Sequence, residues 1–377
     1  MSVTIRLAQS VADHHAWNDF VLHHPGTSFY NITHWLNSYS NFGIQPDYLI
    51  AEQEGQIVAG ASLAVYRAGP ISWVQIPHGP VIDPARPELT AQLLSAIDDY
   101  ARDNGCIFIQ IAPFAITPNI DEMAHKAEAS RLDYSADILP QPNAELLATL
   151  SERGFQAIES KIKLLTIPRE GQIVDLREDD IIMGFRKGTR RDIRYTIKSD
   201  IRAEQVTTLD ALQSAYAVLK ANADEIGYDI RPWNSFRDAI WAGIENETAL
   251  VMTAILAGEI VAVNVVLFGG DRGYYTLGGT TRIEDKRMFP AHYVQYMAMQ
   301  AAKERGYTQY DLTSVVGGGV ASFKRGFRPT YYQLAHPVIK VYRPALFRLF
   351  TRAYPILYRN RRQIARLINR TKSIFNR

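Results

Sequence analysis

The succession helix, helix, three strands, helix, strand is written twice into these 377 residues. No other feature narrows the possible folds as much. In the first copy Asp47–Glu52 is a strand, Glu54-Gly55 a turn, and Gln56-Ile57-Val58-Ala59 opens a second apolar run. About two hundred residues later Ala249–Leu256, Ala257-Gly258 and Glu259-Ile260-Val261-Ala262 repeat the pattern. Turn residues between runs rich in Val and Ile read as β-hairpins. A third strand follows each hairpin, Ile71–Ile76 and Gly273–Leu277. Then come amphipathic helices, Pro87–Asn104 and Pro290–Arg305, each with Pro at its start and Gly just past its end (Gly105, Gly306). Cys106–Ile111 and Thr308–Leu312 are the closing strands, and the leading helices are Val11–His23 and Ile32–Asn41, then Leu209–Glu225 and Trp233–Glu245.

A chain of this length suits two domains. The boundary falls near Pro168–Gly171, after a strand at Lys161–Ile167, giving domains 1–168 and 169–336 and a tail 337–377. Charge separates the tail from the rest. It holds nine Arg, two Lys and no acid, a charge of +11, while the other residues carry 30 basic and 39 acidic groups, a balance of −9. Such asymmetry concerns partners rather than fold. The lone Cys106 lies in an apolar run and reads as a small buried hydrophobe in a reducing compartment. The first residues, MSVTIRLAQS, lack the apolar core of a secretory leader. No run reaches the roughly 18 apolar residues of a spanning helix. The expectation is a soluble or peripheral protein.

Three segments carry a resemblance. Ile76-Pro77-His78-Gly79-Pro80-Val81-Ile82-Asp83 follows a strand and precedes a helix. Phe185–Tyr195 reads FRKGTRRDIRY, and Gly319–Phe327 reads GVASFKRGF after a strand ending Tyr310-Asp311-Leu312. In that order they resemble the PxGPVxD, KxRRxIRxA and GLxxFKxGF runs of the Fem family, which adds amino acids to peptidoglycan precursors. The repeated element order is similar to that of GNAT acyltransferases. The resemblance implies an α/β fold of two tandem GNAT-like (acyl-CoA N-acyltransferase-like) domains, followed here by a basic C-terminal helical tail.

The basic segment has its own physical reading. Lys187, Arg190, Arg191 and Arg194 stand three and four residues apart, along one helix flank. Arg presents a planar fork matched to phosphate oxygens. The alternative is a solvated flank paired with Glu178, Asp179 and Asp180. The resemblance implies that Arg191 and Tyr195 contact a substrate diphosphate, and that Lys324 stabilises negative charge during acyl transfer. Lys324 is expected in a Gly-rich loop after Gly317, Gly318 and Gly319, with Phe323 and Phe327 packed beneath it. Asp83 either orients the acceptor amine or caps the turn before Pro84. His78 stands where the family commonly has a basic residue. His14, His15, His23 and His24 lack a suitable set of partners, so no metal site is expected.

The reaction so implied is attack of a stem-peptide amine on an aminoacyl ester. The donor is aminoacyl-tRNA and the acceptor a lipid- or nucleotide-linked muramyl peptide, with no cofactor. The alternative is a GNAT N-acyltransferase using an acyl thioester on an amino sugar or a lipid-linked surface polysaccharide precursor. A Gly-rich pyrophosphate loop is missing between the third strand and the helix of the second copy, where Thr281–Arg287 stands. This weighs against ordinary acetyl-CoA chemistry. The long helical arm of larger Fem members is missing too, which keeps the thioester open. In the tail, Leu346, Phe347, Leu349, Phe350, Ile356 and Leu357 alternate with arginines. That pattern suggests a helix lying on an anionic membrane, and hence a cytoplasmic protein peripheral at the inner face of the cell membrane. A tRNA-binding arm and a helix docked on the acidic body are the alternatives.

Overall fold

The computed structural model describes residues 3–68, 71–83, 85–116, 140, 143–157, 167–285, 287–313 and 318–359. The first half runs β1 (Thr4–Leu7), α1 (Val11–His23), α2 (Thr33–Asn37), β2 (Ile44–Gln53), β3 (Gln56–Ala68), β4 (Ile71–Pro77), β5 (Val81–Ile82), α3 (Pro87–Asp103), β6 (Cys106–Ala112), α4 (Ala144–Glu152) and β7 (Gln156–Ala157). The second half runs β8 (Glu170–Asp175), α5 (Lys187–Ile197), β9 (Arg202–Gln205), α6 (Leu209–Ile226), α7 (Trp233–Glu245), β10 (Ala249–Leu256), β11 (Glu259–Gly269), β12 (Arg272–Thr280), α8 (Pro290–Glu304), β13 (Gln309–Asp311), α9 (Gly318–Arg325) and β14 (Thr330–Gln333). Then come β15 (Val338–Val341) and α10 (Pro344–Arg359).

Two sheets result, ordered β1-β2-β3-β4-β6-β15-β7, with β5 on β3, and β14-β8-β13-β12-β11-β10-β9. The duplication is visible in the pairing. In each half a hairpin leads to a third strand, and a helix then crosses to a parallel neighbour, β4 to β6 through α3 and β12 to β13 through α8. All other strand pairs are antiparallel. Each helix buries an apolar stripe on its sheet: Leu89, Leu93, Leu94 and Ile97 of α3 join one core, and Val294, Ala298, Met299 and Ala302 of α8 another.

The second helix of the first copy is shorter than expected. α2 ends at Asn37 and the chain tightens into a 3₁₀ turn over Ser38–Phe42. The strand expected at Lys161–Ile167 falls almost wholly outside the described residues. β1, β8, β14 and α4 have no counterpart in the sequence reading.

The tail departs most from expectation. It does not open as a helix at Pro337. β15 pairs with β6 and β7, so the chain returns from the second half to close the first sheet. Lys340 ties this strand down through Asp98 at 2.7 Å. α10 then lays Phe347 and Phe350 on the same domain, 5.2 Å from Phe108 and 4.7 Å from Trp73 between ring centres. Those two rings therefore pack into protein rather than face lipid. Leu349 remains 62% exposed. Ile364, Arg366 and the residues around them lie outside the described residues. Among the described residues, no helix is long and apolar enough to cross a membrane.

Candidate active site

β12 and β13 run side by side only over Arg272–Tyr274 and Gln309–Asp311. Past that point β12 continues to Thr280, while the other chain turns away at Thr313. Thr313 holds a positive φ of 59°, uncommon for a β-branched residue. Its N–H donates to Asp311 Oδ1 at 2.6 Å and its hydroxyl to the Tyr275 carbonyl at 3.1 Å. The sheet is forked here, and the fork places Asp311 at its base.

Asp311 is fully buried. The Gln172 N–H reaches its Oδ1 at 3.2 Å, and the Tyr332 hydroxyl donates to Oδ2. Burial pushes the Asp311 carboxyl up, and these donors together with Arg272 pull against it. Lys324 approaches from α9. It lies on a helix rather than in the expected loop, because the Gly-rich segment coils into α9 from Gly318. Only 4% of Lys324 is exposed, and its Nζ lies 6.0 Å from the centre of the Tyr275 ring. Burial lowers its ammonium to about 8, with Asp311 opposing. A water-exposed lysine is thereby excluded.

Phe323 and Phe327 pack edge to face at 5.2 Å, and His292 lies 5.0 Å from Phe323. Phe185, just ahead of α5, meets Phe327 at 5.1 Å. The Arg186 N–H donates to the Gly326 carbonyl at 2.9 Å. The basic helix and the Lys324 helix thus share one aromatic footing, although Phe185 and Phe327 stand 142 residues apart.

α5 carries the expected cations on one side. Lys187, Arg190, Arg191, Arg194, Tyr195 and Lys198 line an open groove of about 450 Å³. Lys303, from α8, donates to the backbone carbonyls of Glu178 and Asp179. Arg191 pairs with Asp192 at 2.9 Å but is 77% exposed. Arg190 reaches the Met183 carbonyl at 2.7 Å. Arg287 stacks over the Tyr195 ring at 5.4 Å.

A second space opens between the domains. A cavity of about 230 Å³ is lined by Tyr30 and His78 from one half and by Tyr274, Asp311, Thr313 and Tyr332 from the other. His78 also has positive φ, 45°. Its Nδ1 is 2.7 Å from the Ser28 hydroxyl and its Nε2 is 3.3 Å from the Pro168 carbonyl. Burial lowers it to about 3, so it is a neutral imidazole that donates to Pro168 and accepts from Ser28. His78 and Thr313 are thus two non-glycine residues of positive φ lining one cavity.

The structure therefore brings Lys324, Phe323, Lys187, Arg190, Arg191, Arg194 and Tyr195 to neighbouring elements. Asp83 does not line the inter-domain cavity. It is exposed, and its Oδ1 accepts from the Ala85 N–H at 2.8 Å, which is the turn-capping geometry. Asp311, Tyr332 and Tyr274 were not singled out from the sequence. Asp311 had one signal, its place in the Tyr310-Asp311-Leu312 strand ahead of the Lys324 motif.

Fold and fork together define a tandem GNAT-type acyltransferase. Residues 184–325 match the acetyltransferase (GNAT) domain. Residues 13–254 match the FemAB family, which covers more than half the chain, and the protein belongs to that family. Among solved structures, it is similar to FemX at 16% identity over 92% of this chain and all of that one, with a TM-score of 0.76. It is also similar to the C-terminal domain of a putative lysylphosphatidylglycerol synthetase from Agrobacterium fabrum, at 14% identity over 92% and 96% of the chains and a TM-score of 0.53. L-PGS from Bacillus licheniformis gives 14% identity over 91% and 96%, with a TM-score of 0.51. At these identities the likeness concerns the fold. Comparison with curated proteins gave no match.

Proposed function

We propose that this acyltransferase moves an aminoacyl group from aminoacyl-tRNA to the stem-peptide amine of a lipid- or nucleotide-linked peptidoglycan precursor. One observation carries the reading: a groove lined by five cations and Tyr195 is pinned, through Arg186 and Gly326, to the helix bearing a buried lysine. The groove suits a diphosphate, which two or three Arg forks hold by charge-assisted hydrogen bonds. The lysylphosphatidylglycerol synthetase among the structural relatives bears a name that joins an aminoacyl group to a phosphate-bearing acceptor, the same pairing.

In this reaction the neutral amine attacks the ester carbonyl, the C–N bond forms and the C–O bond to ribose breaks. The amine gives up a proton and the departing ribose oxygen takes one. In this reading Lys324 faces the oxyanion of the tetrahedral intermediate, where a fixed ammonium in a dry site acts strongly. Its lowered pKa also suits it to hand a proton to the leaving oxygen. With a lipid-linked acceptor, the protein would work as a cytoplasmic protein peripheral at the membrane's inner face. Asp83 as an orienter of the amine is not part of this proposal, because its side chain is engaged in the turn.

The test offers labelled aminoacyl-tRNA and labelled acyl-CoA separately, with a lipid-linked muramyl peptide. Transfer from tRNA supports the proposal. Transfer from acyl-CoA alone, indifferent to tRNA, replaces it with the thioester reading.

A further inference from the structure

A second inter-domain cavity, of about 220 Å³, adjoins the first. Trp35 and Thr276 line both, so the two spaces share a wall. Each is smaller than the roughly 300–1,000 Å³ of an ordinary ligand site, and together they reach that range. The first holds Asp311. The second is walled by Phe236, Ile240, Val265 and Leu277, with Trp35, Arg231, Tyr228 and Asp229 at its side.

The Arg231 guanidinium is clamped. It lies 4.2 Å from the Trp35 ring centre and 4.0 Å from that of Tyr39, and it donates to the Ser38 hydroxyl at 2.7 Å. Its carbonyl accepts from the Tyr216 hydroxyl at 2.8 Å, which fixes the segment between α6 and α7. Arg231 Nη2 and Trp35 Nε1 are buried behind this wall, with no surface open to the cavity. Tyr228 and the Asp229 carboxylate stand at the exposed rim, and the floor offers room for an aliphatic group.

We infer that this cavity receives the side chain of the transferred acyl group and selects an aliphatic chain of about four to six carbons over none. The inference rests on the acyl-transfer reading and adds the class of group transferred. An aminoacyl ester and an acyl thioester both supply this chemistry. The placement follows from the shared wall: a carbonyl held beside the fork in the first cavity has its substituent directed past Thr276 into the second.

The test is saturation-transfer NMR on the full chain with leucine methyl ester, the N-acetylcysteamine thioester of hexanoic acid, and glycine methyl ester. The leucine ester or the hexanoyl thioester should bind at least tenfold more tightly than the glycine ester, and whichever binds names the source. Leu277→Trp should abolish that binding. Leu277→Ala should shift preference at least fivefold toward phenylalanine methyl ester, an opposite change that misfolding does not produce. Equal binding of the glycine and larger esters, or binding untouched by Leu277→Trp, overturns the inference. Transfer to a muramyl peptide without any size preference leaves the proposed function standing while the cavity assignment falls. Size-selective binding without such transfer does the reverse.

Discussion

The N–H of Arg186 donates to the carbonyl of Gly326 at 2.9 Å, so the helix of the cationic groove is fastened to the turn that ends the Lys324 helix. Gly326 has no room for a side chain there, because a Cβ would collide with Thr189 Oγ1 on the facing turn of α5. Gly326→Ala should destabilise the protein by about 1–3 kcal/mol, the usual cost of overpacking. Adding Thr189→Ala should recover part of that loss, since the colliding oxygen is gone. Thermal denaturation of the two single variants and the double variant measures the coupling. Simple additivity would show that the two helices are not joined at this point.

Lys324 is the most consequential side chain at the fork. Lys324→Met should lower turnover by roughly 10²–10³-fold, the loss expected when one donor to an oxyanion is removed. The pH dependence has a defined sign. Burial holds the ammonium at about 8, well under the 10.5 of a free lysine. Activity that needs the cation should therefore decline as pH rises through about 8. In Lys324→Met the residual rate should show no such decline. A wild-type profile flat from pH 7 to 9.5 would remove Lys324 from the reacting centre.

The groove gives a binding prediction. Arg191 is exposed and pairs with Asp192. Arg191→Ala should weaken acceptor binding by about 1.5–3 kcal/mol, the worth of a hydrogen bond to a charged group. Titration with a nucleotide-linked muramyl peptide reads this directly, and the melting temperature should stay unchanged. Equal affinity would mean the groove holds something other than the acceptor.

Much of this architecture was legible because it is local. The hairpin turns at Glu54-Gly55 and Ala257-Gly258 and the Pro-to-Gly frame of α3 and α8 depend on residues near in sequence. α1 and α7 run over the expected residues, and β10 does so too. The cationic flank of α5 was legible for the same reason, since helical spacing alone puts Arg190 and Arg194 together. Long-range pairing was not. Nothing near Val338 says that it will return across the molecule to Ile111. Nor does Asp311 announce that Tyr332, from a strand beyond α9, will hydrogen-bond its carboxyl. The Gly-rich run ahead of Lys324 reads as loop because glycine lets the backbone turn and approach a ligand closely. Packing of Phe323 and Phe327 against α5 and α8 overrides that preference.

His78 supplies a stability prediction in acid. Burial keeps it neutral down to about pH 3, whereas an unfolded histidine protonates near 6.5. Between those values the unfolded chain binds a proton that the folded chain refuses. Stability should fall as pH drops through that window and level off below it. His78→Gln can still donate to Pro168 and accept from Ser28, and it does not titrate. The difference in urea midpoint between pH 7 and pH 5 should therefore shrink in the variant. It should not vanish, because burial also lowers His34, to about 4. An unchanged difference would mean that His78 is protonated in the folded state.

The tail gives the last prediction, and it separates docking from anchoring. Phe350 is buried against Trp73 and Phe108, with Phe347 beside it. Phe350→Ala should cost about 3–5 kcal/mol, as for a large aromatic removed from a core. Cutting the chain after His336 should do more harm. It removes β15, exposes the edge of β6 and leaves Asp98 without Lys340. A helix that merely lies on lipid would behave otherwise: its loss would spare thermal stability and abolish sedimentation with anionic vesicles. Melting curves and vesicle sedimentation on the full chain, on Phe350→Ala and on the truncated chain distinguish the two. A truncated chain as stable as the full one would show that β15 and α10 contribute nothing to the first domain.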